Sequence, residues 1–207
     1  MSSSNRIPSP FVLAQVLSLA IALALFSLSF WEGREALFLS LNGDLGKISD
    51  SFFTFCTEAA EGWIWIPYFI LLASFFKKDG RLIIYNFLIS TLLTQIPKQF
   101  IWPTVTRPTA SGIDPTQIHT VPGMELHSLN SFPSGHTATA FNIFLLTVYF
   151  FPYPKTILLG LLYAIFCGYS RIYLGQHFPL DVAGGILVAI ASIHISKWLG
   201  SVLKNSI

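Results

Sequence analysis

The chain has 207 residues, 53% of them hydrophobic and only 11% charged, about half the charged share of an ordinary soluble domain. A globule of this length cannot hide that much apolar surface, which argues against a soluble fold. A formal net charge of +2 offers no basic face for nucleic acid, and the cysteines, Cys56 and Cys167, sit in no motif that would suggest a disulfide framework or a zinc site.

Residues 11–31 form the first predicted span. This run is longer than the about 7–15 apolar residues of a signal peptide and ends in SLSFWEGRE without a small-x-small cleavage site, so it reads as a retained anchor. Residues 32–61 read as an outer segment that carries most of the acids and a turn-like stretch at 41–44. The second span, 62–76, has Trp63, Trp65 and Tyr68 near its outer end, where amphipathic rings favour the membrane interface. The third, 82–96, is stopped by Pro97. Residues 98–132, rich in Pro, Thr, Ser and Gly, form a loop long enough to be functional. The fourth span, 134–151, opens at the Pro133-Ser134-Gly135 turn, and the fifth and sixth cover 156–169 and 179–199. The expected fold is all-α: a six-span transmembrane helical bundle with an outer-face active site, in a single domain, 1–207.

Lysine and arginine placement gives the orientation. With the N-terminus inside, the inner segments hold Arg6, Lys77, Lys78, Arg81, Lys155, Lys197 and Lys204, against Arg34, Lys47, Lys98, Arg107 and Arg171 outside. Both termini are therefore expected in the cytoplasm.

Polar residues beside membrane spans are costly unless used, and three clusters fall on the predicted outer side. Lys98 and Arg107-Pro108 bracket an aromatic stretch after span three; alone, such cations equally suit lipid headgroups. Ser131-Phe-Pro-Ser134-Gly135-His136-Thr137 opens span four. The first N–H groups of a helix lack internal partners and suit a phosphate; Ser134 adds a hydroxyl and His136 a titratable group. An ordinary serine cap is the plainer reading. Arg171 precedes His177-Phe-Pro179-Leu-Asp181, where Pro179 fits a first helical turn and Asp181 stands one turn from His177. A carboxylate so placed orients the ring and stabilises its cation.

These three clusters, in this order, resemble the type 2 phosphatidic acid phosphatase superfamily, which includes lipid phosphate, undecaprenyl pyrophosphate and lipid A phosphatases, glucose-6-phosphatase and vanadium haloperoxidases. One departure stands out. Eight residues separate Lys98 from Arg107, two more than the family usually has, and these must be looped out if Lys98 is to keep its place.

The resemblance implies that Lys98, Arg107, Arg171, Ser134 and the Gly135 amide hold the phosphate, that His177 attacks phosphorus to form a phosphohistidine, that Asp181 orients His177, and that His136 protonates the leaving lipid oxygen and then activates water. It implies no cofactor and no metal, and the sequence has neither a carboxylate cluster suited to magnesium nor a Cys/His set suited to zinc. His119 and His127, in the long loop, are weaker candidates, His194 reads as a packed or inner-interface residue, and Glu58 and Glu61 read as solvated acids or headgroup selectors. Phe100, Trp102, Phe132 and Phe178 are candidates for contact with a lipid chain or for interfacial anchoring.

The expected partners are a lipid phosphate substrate and the bilayer. The short six-span form points to a bacterial inner membrane with a periplasmic site, acting on lipid A, undecaprenyl pyrophosphate, phosphatidylglycerol phosphate or phosphatidic acid; the passage around 121–141 looks like the subgroup that includes lipid A phosphatases. The rival readings are vanadate-dependent halide oxidation, whose enzymes are soluble by resemblance, and a non-catalytic transporter or lipid-binding scaffold, against which stands the presence of every expected catalytic residue.

Overall fold

The computed structural model describes residues 9–205, so Arg6 of the orientation argument lies outside the described residues. Within them every regular element is helical. Ser9 accepts a hydrogen bond from the Val12 amide (3.3 Å) and Pro10 starts α1, Pro10–Glu32. At Gly33 φ is +88°, a conformation that costs glycine little, and the chain turns there into α2, Arg34–Leu41. α3, Lys47–Glu58, follows. A 3₁₀ turn, Gly62–Ile64, leads into α4, Trp65–Phe69, which continues as a π-helical stretch, Ile70–Phe75. α5, Gly80–Ile96, is capped by Asp79, whose carboxylate accepts from the Arg81 amide at 3.0 Å. α6 is Gly135–Phe150, α7 Pro154–Tyr173 and α8 Pro179–Asn205.

Three expectations are corrected. The segment 32–61 is largely helical, because α2 and α3 form amphipathic turns too short to stand out as apolar runs. Pro97 does not stop the third span: the chain continues through it as a π-helical turn, Pro97–Ile101, since proline is tolerated where a helix changes its hydrogen-bond register. The helix of the fifth predicted span, α7, runs on to Tyr173, which places Arg171 in its last turn.

α1, α7 and the Pro179–Leu203 part of α8 are long and apolar enough to cross a membrane. α5 and α6, with 17 and 16 residues, span about 26 and 24 Å, somewhat less than the about 30 Å hydrocarbon layer. α6 is central, with its residues buried on all sides. It packs against α7 and α8 through glycine. A Cβ on Gly185 would lie 2.5 Å from the Ser134 carbonyl oxygen and 2.9 Å from the Thr137 Cβ, and one on Gly160 would lie 2.6 Å from the Phe144 ring. Small residues of this kind let helices associate by close packing where the surroundings are themselves apolar.

One end of the bundle is covered by α2, α3 and the 102–134 loop. Asn42 fastens this cover: its amide donates to the carbonyls of His119 (3.1 Å), Ile172 (2.9 Å) and Tyr173 (2.8 Å), and its Oδ1 accepts from the His119 amide (2.7 Å). α3 packs Phe53 on Tyr169 and Tyr173 and leaves Ile48 and Phe55 exposed. At the other end, Lys78 sits over Phe151 and Lys197 over Phe11 and Tyr149.

Because backbone, not a flexible tip, faces Gly185, Gly185→Ala is expected to cost about 1–3 kcal/mol and to lower the thermal midpoint in detergent, followed by tryptophan fluorescence. Gly200→Ala, with nothing within 4 Å of the new carbon, serves as the control and is expected to leave the midpoint in place.

Candidate active site

The ends of α5 and α7 and the starts of α6 and α8 meet under the cover. After α7 the chain makes a tight turn in which the Arg171 carbonyl accepts from the amides of both Gln176 (2.9 Å) and His177 (3.0 Å), with Gly175 at φ +68°. That turn delivers His177, 1% exposed, into the interior. Asp181, one turn into α8, offers Oδ2 to three partners: the Ser131 hydroxyl (2.5 Å), the Phe178 amide (3.0 Å) and His177 Nδ1 (3.3 Å). The Ser134 amide donates to the Asp181 carbonyl at 2.9 Å, which ties the start of α6 to the start of α8.

On the other side of the ring, His177 Nε2 lies 3.3 Å from Arg107 Nη1. A guanidinium can only donate, so Nε2 is the acceptor and the ring proton sits on Nδ1, facing Asp181. Burial, then the charges of Arg107, Lys98 and Arg171, hold the imidazole pKa well below its usual value. The ring is therefore neutral at pH 7, with a lone pair on Nε2.

Arg107 is fixed by neutral acceptors: Nε donates to the Leu129 carbonyl (3.1 Å), and Nη1 to the Gln176 carbonyl (3.1 Å) and its Oε1 (3.3 Å). Gln176 is steadied in turn by donating to the Glu125 carbonyl (2.8 Å). Arg171 donates through Nη1 to Thr57 of α3, and its buried Nε has no partner among the described residues. Lys98 is buried on the π-helical turn. Burial and the neighbouring Arg107 push its pKa down to about 8.

Lys98, Arg107, Gly135, His136, Arg171 and His177 line one cavity of about 450 Å³. Asp181 and Ser134 stand behind this wall. Ser134 caps α6, accepting from the Thr137 amide (3.4 Å) and hydroxyl (2.9 Å), while its own proton is uncommitted among the described residues. His136, in the first turn of α6, has Nε2 3.8 Å from Glu61 Oε1. His127 also lines the cavity. His119 does not: it lies against Asp50 (3.0 Å) and Tyr173. His194 is exposed on α8 and bonded to Gln15 of α1.

None of the four aromatic candidates lines the cavity. Phe178 is core, beneath the Arg34 guanidinium; Trp102 and Phe132 line a separate apolar groove beside α8; Phe100 points outward. Trp65 and Phe87 line the cavity in their stead. Sequence reasoning gave no part in the site to Ser131, Thr57 or Gln176, and read Glu61 as a solvated acid or headgroup selector. Ser131 and Gln176 stand inside the motifs, but Thr57 carries no local signal.

One carboxylate–histidine group was not visible in the sequence. Ligand atoms of Asp44, Asp50 and His119 lie within 4.8 Å of one another, with the imidazole bridging the two acids. It lies outside the cavity.

The sequence profile of the PAP2 superfamily matches residues 79–203. The lipid A 4'-phosphatase of Porphyromonas gingivalis is 31% identical over 188 residues, covering 82% of this chain and 78% of that one. An undecaprenyl-diphosphatase of Sulfolobus acidocaldarius is 31% identical over 140 residues, covering 65% of this chain and 62% of its own length; other matches span little more than a third of their relatives. Among solved structures, that of Aquifex aeolicus LpxE superposes with a TM-score of 0.67 at 33% identity, covering 77% of this chain and 92% of that one. With the profile running from the cap of α5 to the last turns of α8, the chain belongs to the PAP2 superfamily.

Proposed function

We propose that the protein is a membrane lipid phosphatase that works through a phosphohistidine. The observation that carries this reading is a charge imbalance. Three buried cations, Lys98, Arg107 and Arg171, meet at one cavity, and the one buried carboxylate beside them, Asp181, is already engaged by Ser131 and His177. Such a site is stable when a multivalent anion fills it. Phosphoryl transfer asks a protein mainly for positioning and positive charge, and the three side chains supply the charge that a divalent ion supplies elsewhere.

The lone pair of His177 Nε2 attacks phosphorus. The bond from phosphorus to the lipid oxygen breaks, and its electron pair goes to that oxygen, which takes a proton from the His136 ring. Asp181 stabilises the charge that develops on His177 through Nδ1–H. In the second half, neutral His136 takes a proton from the water that attacks phosphorus, and the P–N bond breaks back to His177. Lys98, Arg107 and Arg171 hold the phosphate oxygens with the Gly135 amide, and Ser134, behind the wall, caps the helix start that presents that amide.

A lipid substrate is favoured by the shape of the cavity. Trp65 and Phe87 line both the cavity and a neighbouring apolar groove between α4 and α5, lined also by Ile66, Phe69, Ile83 and Ile84, which suits a chain whose phosphate has entered the cationic end. Lipid A is the substrate we favour, on the strength of the relative that matches most of this chain's length; undecaprenyl pyrophosphate is the second reading, from the other relative. In the bilayer we place six spans in one domain, both termini cytoplasmic and the site at the periplasmic face of a bacterial inner membrane. The cations gathered at the end opposite the cavity, Lys78 and Lys197 among them, support this orientation.

Phosphate release from lipid A, undecaprenyl pyrophosphate and phosphatidylglycerol phosphate, side by side in detergent micelles, tests the class and ranks the substrates. His177→Ala is expected to reduce release by about a thousandfold or more and EDTA to leave it intact; an equally active variant would overturn the nucleophile assignment. Lys98 gives a pH signature. Its folded pKa is lowered, so its charge is present below about 8 and lost above. The inhibition constant of inorganic phosphate is therefore expected to rise as pH passes from 7 to 9 (about, by the ordinary titration of one group), and Lys98→Arg to flatten that rise. A reporter active only outside the cytoplasm, fused to the C-terminus, should stay silent; a signal there would invert the topology.

A further inference from the structure

We propose that Glu61 is the positioning residue of the acid–base step, its carboxylate holding His136 in the protonated form that a departing lipid oxygen requires. This rests on His136 being the proton donor of the reaction above.

The geometry sets the two histidines in parallel situations. His177 has Asp181 behind it at 3.3 Å, and His136 has Glu61 beside it at 3.8 Å. Three cations act on His136, Arg171 from α7, Lys98 from the turn after α5 and Arg107 from the long loop, and His127 of the same loop also faces it. Asp181 is spoken for. Among the described residues, Glu61 is the carboxylate within ion-pair reach of the His136 ring.

A general acid must carry its proton while the substrate is bound, and a ring among three cations sheds it. A carboxylate at ion-pair distance opposes that loss. Glu61 is also held in place: its amide donates to the Glu58 carbonyl (3.2 Å), and its carbonyl accepts from the Ile64 amide (3.1 Å), at the turn that opens the α4 segment. Half of its side chain faces solvent, 54% exposed, while the imidazole, at 25%, is screened less. Glu61 exchanges no proton itself. The proton passes from the His136 ring to the lipid oxygen in the first half-reaction and returns from water in the second.

The consequence is a dependence on the leaving group. An alkoxide leaving from a lipid ester needs the proton; p-nitrophenolate does not. In purified full-length protein in detergent micelles, Glu61→Gln should lower the ratio of kcat on the lipid ester to kcat on p-nitrophenyl phosphate by about tenfold or more. It should also move the basic limb of the lipid kcat–pH profile down by about one unit, and Glu61→Asp should restore most of both. In a His136→Ala background, Glu61→Gln should add nothing further. Equal loss on both esters, an unmoved limb, or a further loss without His136 each overturns the proposal, as does tighter binding of both esters with an unaltered profile, which would mark Glu61 as a mere repeller of anions. Where wild type turns over only the lipid, the position of the limb decides. If wild type releases phosphate from neither ester, the phosphatase reading itself falls, which is a different failure from an active enzyme indifferent to Glu61.

Discussion

Mutual repulsion among Lys98, Arg107 and Arg171 is the constraint around which the rest of the structure is arranged. Like charges gathered in surroundings less polar than water repel strongly, and here Lys98 feels Arg107 and Arg171, and Arg171 feels Arg107. The anchors that hold the cations are neutral: carbonyls of Leu129 and Gln176 for Arg107, the Thr57 hydroxyl for Arg171, a rigid helical turn for Lys98. Carboxylates would have held them more tightly and cancelled the charge. Neutral acceptors fix position and leave the potential available to a ligand. The glycine contact between α6 and α8 belongs to the same scheme, because it sets the first amides of α6 against the turn that carries His177 and Asp181.

Much of the cavity wall was legible because its chemistry is local. His177 and Asp181 are one helical turn apart, and Ser134-Gly135-His136 is a helix start; in both cases spacing along the chain determines spacing in space. The all-helical architecture followed from composition and apolar run length, and three of the helices are long and apolar enough to cross a membrane, although the runs gave their ends less well. Pro97 reads as a stop because the sequence does not announce that a π-helical turn will accept it.

The rest was hidden because it depends on contacts between residues far apart in the chain. Thr57 and Glu61 belong to the acidic outer segment, and their contacts with Arg171 and His136 join residues more than seventy positions apart. The aromatics nearest the motifs in sequence proved to be core or outward-facing, whereas Trp65 and Phe87, remote from every motif, face the cavity. Proximity in sequence predicts partners at a helix start and fails for the walls between helices.

Asn42 closes the account of the cover. A single amide grips the backbone of the long loop at His119 and the last turn of α7 at once. The loop is thereby divided into a clasped point and a free bight. Residues 114–117 are exposed on the free side, so an epitope or a fluorophore grafted there would hang clear of the clasp and leave the roof over the cations seated. The same graft across 118–120 would have to prise that amide open, and the end of the helix that bears Arg171 would lose its fastening with it.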